Sequence, residues 1–290
     1  MNNQQRNVME YLEKTVPTCP DKVAYSNEDP NSDITFAQVY DRSRAIGSLL
    51  YNKGYYKEPV VVFMKKHPNA IVAFFGCVYG GNYYVPLDEE MPRFRTELIL
   101  KTLSPKVMIC DETTEKIAKE MNFEGEILLY SEIIKADIDE ASLQTIRDHQ
   151  VDTDPIYIVF TSGSTGIPKG VVACHRSVID YIENLSDVLG FNHETRFANQ
   201  TPLYFDACLK ELESRGISEK DGSVVVGPPD EFIEVMSEIK KRKNIKNHSV
   251  AFYTMCTICR DWLASHDEQD LKDAADRAKG QSRNPKNGGA

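Results

Sequence analysis

The stretch Ile156-Tyr157-Ile158-Val159-Phe160-Thr161-Ser162-Gly163-Ser164-Thr165-Gly166-Ile167-Pro168-Lys169-Gly170-Val171-Val172-Ala173-Cys174 reads as strand, loop and strand. Its first five residues form an unbroken apolar run, the pattern of a strand buried on both faces. Val171 to Cys174 resume an extended apolar run. Between them, Gly163, Gly166 and Gly170 allow backbone angles closed to other residues, so that N–H groups can converge on an anion. Thr161, Ser162, Ser164 and Thr165 add hydroxyls that can donate to phosphate oxygens. Lys169 offers a mobile positive charge, and Pro168 restricts the chain just before it. A Ser/Thr/Gly run taken alone is equally readable as a flexible connector. The run is not a Walker A loop, because Lys169 follows Pro168 and precedes Gly170 instead of standing in Gly-Lys-Ser/Thr. Nor is it a G-x-G-x-x-G turn feeding a helix, which argues against a dinucleotide fold.

Upstream of this stretch, short apolar runs alternate with segments of helical period, the pattern of an α/β domain built on a parallel sheet. Thr35-Phe36-Ala37-Gln38 has the form of a capping box and predicts a helix start. Phe36, Val39, Tyr40, Ile46, Leu49 and Leu50 then recur at roughly helical spacing, and Gly54 is placed to end the helix in the left-handed conformation. Pro59 to Met64 predicts a buried strand. Pro68 opens a helix ending at Gly80-Gly81, Tyr83-Tyr84-Val85 is a strand, and Pro92 begins a further helix through Leu103. Lys106–Cys110 and Glu126–Tyr130 read as strands with a helix around Thr114 to Met121 between them. Asp137 to Gln150 is polar and reads as a connecting surface segment with room for a short helix. After Cys174 a helix follows, with Val178, Ile182, Leu185 and Leu189 on one face and Gly190 as its stop.

Composition narrows the function classes. The 290 residues are enough for one large domain or two ordinary ones, and 41% hydrophobic with 27% charged residues is ordinary for a soluble globular chain. The 44 acidic against 34 basic residues give a net charge of −10, which argues against a nucleic-acid-binding face. Such a balance leaves room for ATP, because a local loop of N–H groups can bind phosphate within an acidic protein. The N-terminus lacks the apolar core of a signal peptide, and Ala70 to Val85, the most apolar stretch, is broken by Gly76, Gly80, Gly81 and Asn82. Seven scattered cysteines read as a reduced, cytoplasmic protein without a disulfide framework or a membrane span.

As a string, Tyr157 to Val171 closely resembles the signature of the adenylate-forming superfamily, which includes acyl-CoA synthetases, luciferases and the adenylation domains of nonribosomal peptide synthetases. Ile34 to Val39 resembles the family's threonine-aromatic helix start. Gly80-Gly81-Asn82-Tyr83-Tyr84-Val85-Pro86-Leu87-Asp88 resembles its Gly-x-x-Tyr-Val-Pro-hydrophobic-Asp motif. Pro202-Leu203-Tyr204-Phe205-Asp206-Ala207-Cys208 resembles the Phe-Asp-x-Ser motif of the amino-acid-activating branch, with Cys208 where serine is preferred. The resemblance implies that Thr161, Ser162, Gly163, Ser164, Thr165, Gly166 and Lys169 hold ATP phosphates with Mg²⁺. It further implies that Asp206 pairs with a substrate ammonium, a charged hydrogen bond that rejects fatty acids. Taken by itself, Asp206 is also readable as a surface or helix-capping aspartate. The implied activity is formation of aminoacyl-AMP, followed by transfer to a carrier-protein phosphopantetheine thiol. The alternatives are a non-catalytic ATP-binding module and an acyl-CoA-synthetase-type ligase for an uncharged carboxylate.

The motifs cover residues 6 to 211, read as the first part of a large N-terminal domain, with 212–290 as an unassigned, mostly helical segment. That segment carries none of the family's adenine, ribose and C-terminal lysine motifs, so the catalytic lysine is unassigned and the chain reads as incomplete. Asn284 to Gly289 only faintly matches the lysine-bearing motif, in the wrong order. Val224-Val225-Val226 predicts a strand, Phe232, Ile233, Met236 and Ile239 mark a helix face, and the last ten residues have the composition of a disordered end. Cys256-Thr257-Ile258-Cys259 is read as buried helix cysteines in preference to a zinc site or a redox pair, since neither further ligands nor a βαβ setting accompanies it.

Overall fold

The computed structural model describes residues 5–27, 29–121, 123–161, 168–189, 199, 202–204 and 224–225, all within one unit, Met1–Pro228. The elements run α1 (Met9–Thr15), β1 (Val23–Ser26), β2 (Ile34–Thr35), α2 (Phe36–Asn52), β3 (Pro59–Phe63), α3 (Pro68–Tyr79), β4 (Tyr83–Leu87) and α4 (Arg93–Leu103). They continue β5 (Val107–Cys110), α5 (Glu115–Glu120), β6 (Glu126–Leu129), α6 (Tyr130–Ile133), α7 (Glu140–His149), β7 (Pro155–Thr161), β8 (Lys169–Cys174), α8 (His175–Leu189) and β9 (Val224–Val225). The expected domain boundary at 211/212, the helix face at Phe232 to Ile239 and the Cys256–Cys259 pair lie outside the described residues.

Six strands form the main sheet in the order β6-β5-β3-β4-β7-β8, parallel throughout except for the antiparallel β7–β8 pair. The fold is therefore α/β with a mostly parallel sheet and flanking helices. A smaller sheet pairs β1 with β2 antiparallel and with β9 parallel. The apolar runs explain the main sheet, because β3 is buried along its whole length and successive residues point to opposite layers. Val60 and Val62 enter one core layer with α2 and α3, while Val61 and Phe63 enter the other with Ile99 and Leu100 of α4 and Ala118 of α5. Tyr84 carries the first layer across the sheet. Its ring stacks on Phe74 of α3 at 4.4 Å and lies 5.6 Å from Tyr157 of β7.

The helix ends follow the sequence closely. Thr35 accepts from the Gln38 N–H at 3.2 Å while the Gln38 side chain accepts from the Thr35 N–H at 3.0 Å, completing the capping box that starts α2. Gly54 sits at φ +86° just beyond its end. Pro68 opens α3, with His67 Nδ1 accepting from the Asn69 N–H, and Gly81 follows its end at φ +71°. The α2–α3 contact is very close. A Cβ at Gly76 would stand 2.5 Å from Ile46, and one at Gly47 would stand 2.7 Å from Tyr79. Nearby, the buried Ser43 hydroxyl donates to the Val72 carbonyl.

The structure gives more order to Asp137–Gln150 than its polarity predicts. Asp139 caps a full α7, whose Ile146 is buried and whose face packs against α2. One inward apolar side and a strong N-cap are enough where the rest of the helix faces water. Conversely, Lys169–Val172 of β8 is exposed, because it pairs with β7 alone among the described strands. No helix among the described residues is long and apolar enough to cross a membrane.

Candidate functional site

The chain reverses direction at the sheet's centre. After β3 it crosses through α3 on one layer to β4, and after β4 it crosses through α4 on the other layer to β5. Helices leaving neighbouring strands on opposite faces open a crevice beyond the strands' carboxyl ends, the usual ligand position in such sheets. The side chains there are charged. Lys65 follows β3 and Glu89 follows β4, and they meet at 3.6 Å across the crevice. Burial pushes the Glu89 carboxyl above its ordinary range, the Asp88 charge adds to this, and Lys65 opposes it. Glu89 Oε2 is buried without a hydrogen-bond partner. On the far side of β3 the Thr114 hydroxyl donates to the Phe63 carbonyl at 2.7 Å, so that flank is closed by a neutral bond.

β7 ends at the same edge. Its buried residues deliver an exposed Thr161, which pairs in register with the exposed Lys169 at the start of β8. The Thr161 hydroxyl donates to the Lys169 carbonyl at 3.4 Å. The antiparallel ladder therefore fixes both ends of the glycine-hydroxyl loop and puts the Lys169 ammonium, a charge that suits phosphate, at its exit. Ser162, Gly163, Ser164, Thr165 and Gly166 lie outside the described residues. For Gly170 the reason for glycine differs from the one expected. It lies inside β8 with no left-handed angle, and a Cβ there would stand 2.9 Å from Ile158. Crowding beneath the strand, not backbone freedom, selects it.

Three further side chains, to which the sequence motifs assign no role, belong here. Arg95, on the first turn of α4, donates through Nη2 to the Phe160 carbonyl at 2.9 Å, one residue before Thr161. Its Nε is buried without a partner. Tyr204 packs, partly buried, against the core of the α4 layer, while the adjacent Leu203 is buried in the α3 layer. Residues 203 and 204 thus straddle the strand ends. Burial raises the Tyr204 hydroxyl pKa, and Asp88 raises it further. Lys66 reaches the same approach, donating to the Asn199 carbonyl at 2.6 Å. Asp206, two residues beyond Tyr204, lies outside the described residues. Arg95 had no local signal in the sequence, whereas Lys65 and Glu89 did: each follows an apolar strand within two residues, at the carboxyl ends where the sheet topology places ligands.

Comparison with known proteins gives the family and agrees with the fold. The profile of the family described as AMP-binding enzyme matches residues 12–283, beyond the end of the recognised motifs at 211. The chain is 32% identical over 196 residues to a nonribosomal peptide synthetase of Gibberella zeae, covering 67% of this chain and 2% of that protein. It is 27% identical over 250 residues to the D-alanine--D-alanyl carrier protein ligase of Staphylococcus aureus (strain bovine RF122 / ET3-1), covering 81% of this chain and 48% of that one. The chain thus spans less than half the length of these relatives. Among solved structures it resembles VinN in complex with L-aspartate, with a TM-score of 0.65 and 19% identity over 81% of this chain and 66% of that one. It also resembles the nonribosomal peptide synthetase FmoA3 with α-methyl-L-serine-AMP bound, with a TM-score of 0.65 and 21% identity over 78% of this chain and 24% of that one.

Proposed function

Because the chain belongs to the AMP-binding enzyme family, we propose that it carries the ATP-phosphate and amino-acid-recognising part of an aminoacyl-AMP-forming site. The observation that carries this reading is the in-register Thr161–Lys169 pair, which holds the ends of the loop beside the crevice between β3 and β4. In the proposed reaction a substrate carboxylate oxygen attacks the α-phosphorus of ATP, and the bond to the β,γ-bridged leaving group breaks to release pyrophosphate. The loop holds the β- and γ-phosphates, and its N–H groups, hydroxyls and Lys169 offset charge developing on the leaving pyrophosphate. Mg²⁺ would be held largely through phosphate oxygens and water. Asp206 pairs with the substrate ammonium. The acyl group then passes to a carrier-protein phosphopantetheine thiol, a partner type consistent with the carrier ligase relatives.

The test is thermal protection of the 290-residue chain. Saturating MgATP is expected to raise its melting temperature, since a ligand at about 100 times its Kd stabilises by about 2.7 kcal/mol. Lys169→Ala should lose most of that protection while melting at the same temperature without ligand. Asp206→Ala should keep it but lose the extra protection given by one member of an amino acid panel. No MgATP protection of the parent chain would overturn the reading, and protection by uncharged carboxylates in place of amino acids would move the site to the acyl-CoA-synthetase type.

A further inference from the structure

A cavity on the opposite side of the fold takes no part in this proposed chemistry. It lies between α2, the end of α3, α7 and the N-terminal segment, with a volume of about 220 Å³, many times the about 15 Å³ that one water needs. α3 begins at the crevice and ends at the cavity, so its 12 residues separate the two by about 18 Å.

Its lining is polar and electrically balanced. Arg44 pairs with both carboxylate oxygens of Glu140, and Arg147 pairs with Glu13. Each guanidinium carries five N–H donors, yet each of these bonds uses Nη2 alone, so donor capacity is left over. Arg44 also lies 4.6 Å over the Tyr40 ring, which meets Tyr79 edge-on. The Tyr79 hydroxyl is buried and has no hydrogen-bond partner. Burial raises its pKa well above the ordinary phenol value, and the Glu13 charge adds to this, so the group stays protonated and able to donate. An unmet buried donor is costly to the fold, and a ligand acceptor would offset that cost.

We propose that this cavity binds a small zwitterion, its carboxylate taken by the spare guanidinium donors and the Tyr79 hydroxyl and its ammonium by Glu13. Charge balance selects this class. Two arginines and two glutamates already cancel, so a net anion or cation would add an uncompensated charge in a partly desolvated space, whereas a zwitterion adds none. The site is separate from the amino-acid position assigned to Asp206.

The experiment follows backbone amide shifts of the ¹⁵N-labelled 290-residue chain during titration with β-alanine, and with propionate and ethylammonium as one-charge controls. β-Alanine should give saturable shifts confined to the end of α3, α7 and the facing turn of α2, at least fivefold more tightly than either control. Tyr79→Phe keeps the ring packing and loses a hydroxyl that has no partner, so it should fold with undiminished stability and bind at least fivefold more weakly. Asp206→Ala should leave these shifts unchanged, whether or not the chain binds ATP. The proposal is overturned if no saturable shifts occur, so that the cavity holds only water. It also falls if propionate binds as well as β-alanine, if Tyr79→Phe binds unchanged, or if Asp206→Ala abolishes the same shifts.

Discussion

The two helices that flank the α3 layer and the strand ends that face the crevice solve opposite problems. Where α2 and α3 meet, buried apolar side chains pack closely, with Gly47 and Gly76 standing where any side chain would collide with the other helix. At the ends of β3, β4 and β7, a few residues away, lie Lys65, Glu89, Arg95, Thr161 and Lys169, two of them with buried polar atoms that have no partner. The seam between the two helices supplies rigidity, and the unmet Tyr79 hydroxyl lies at its edge, in the lining of the cavity. The strand ends are under-satisfied and depend on that rigidity to hold their charges in place. Substitutions in the seam should therefore read out as stability, and substitutions at the strand ends should read out chiefly as binding.

The largest effect is expected in the seam. A Cβ at Gly76 would meet the Ile46 Cγ2 and Cβ atoms at 2.5 and 2.6 Å, and Ile46 is itself wholly buried with nowhere to retreat. Gly76→Val should cost about 3 kcal/mol or more in urea unfolding, because overpacking forces the helices apart. Gly54→Ala is the control: that glycine has open space around it and only its φ of +86° to strain, so its loss should be about 1 kcal/mol. Equal losses for the two would mean that the seam is softer than its geometry implies.

The next effect is set by His175, which opens α8 and is wholly buried beneath the N-terminal segment. Its Nδ1 accepts from the Val8 N–H at 3.3 Å, and its Nε2 lies 2.8 Å from the Gln150 amide. Burial pushes its pKa down to about 4, with Asp154 and Asp152 opposing. A folded-state pKa below the unfolded value near 6.5 means that the unfolded chain binds the extra proton. The associated stability is complete above about pH 6.5 and is lost as pH falls toward 4, on the order of 3 kcal/mol across that window. Urea unfolding at stepped pH should show this slope in the parent chain and a shallower one in His175→Gln. A parallel slope in both would remove His175 as the cause.

How far each region was legible in the sequence follows from the same contrast. The parallel sheet is written locally: short, β-branched apolar runs such as Pro59–Phe63 are best read as buried strands, and Thr35–Gln38 and Gly54 mark a helix by chemistry that acts over four residues. The strand ends at Thr161 and Lys169 that bound the glycine-hydroxyl loop were legible for that reason too. The partners of Arg95 and Glu89 were not, because both contacts join residues that are distant in sequence or depend on which strands adjoin. Gly170 was misread through the same blindness, since its crowding comes from Ile158 across the hairpin. Helix α7 was undervalued because its burial rests on one residue, Ile146, whose partner layer is set by the position of α2.

A smaller stability effect than at Gly76 or His175 should carry the clearest functional signature, and Arg95 is where to look for it. Its guanidinium ties the first turn of α4 to the Phe160 carbonyl, so α4 braces the last turn of chain before the loop. Arg95→Met keeps much of the aliphatic stem and removes that charged hydrogen bond, a loss of about 2 kcal/mol in stability. The end of β7 would then rely more on its ladder to β8, which pairs with β7 alone among the described strands and is largely exposed. Protection by MgATP should fall further than the loss of stability explains, whereas Lys101→Met, on an exposed face of the same helix, should leave both unchanged. If Arg95→Met loses stability but keeps the full MgATP-induced rise in melting temperature, the arginine supports the fold alone. The strand ends would then have less influence on the loop than their placement suggests.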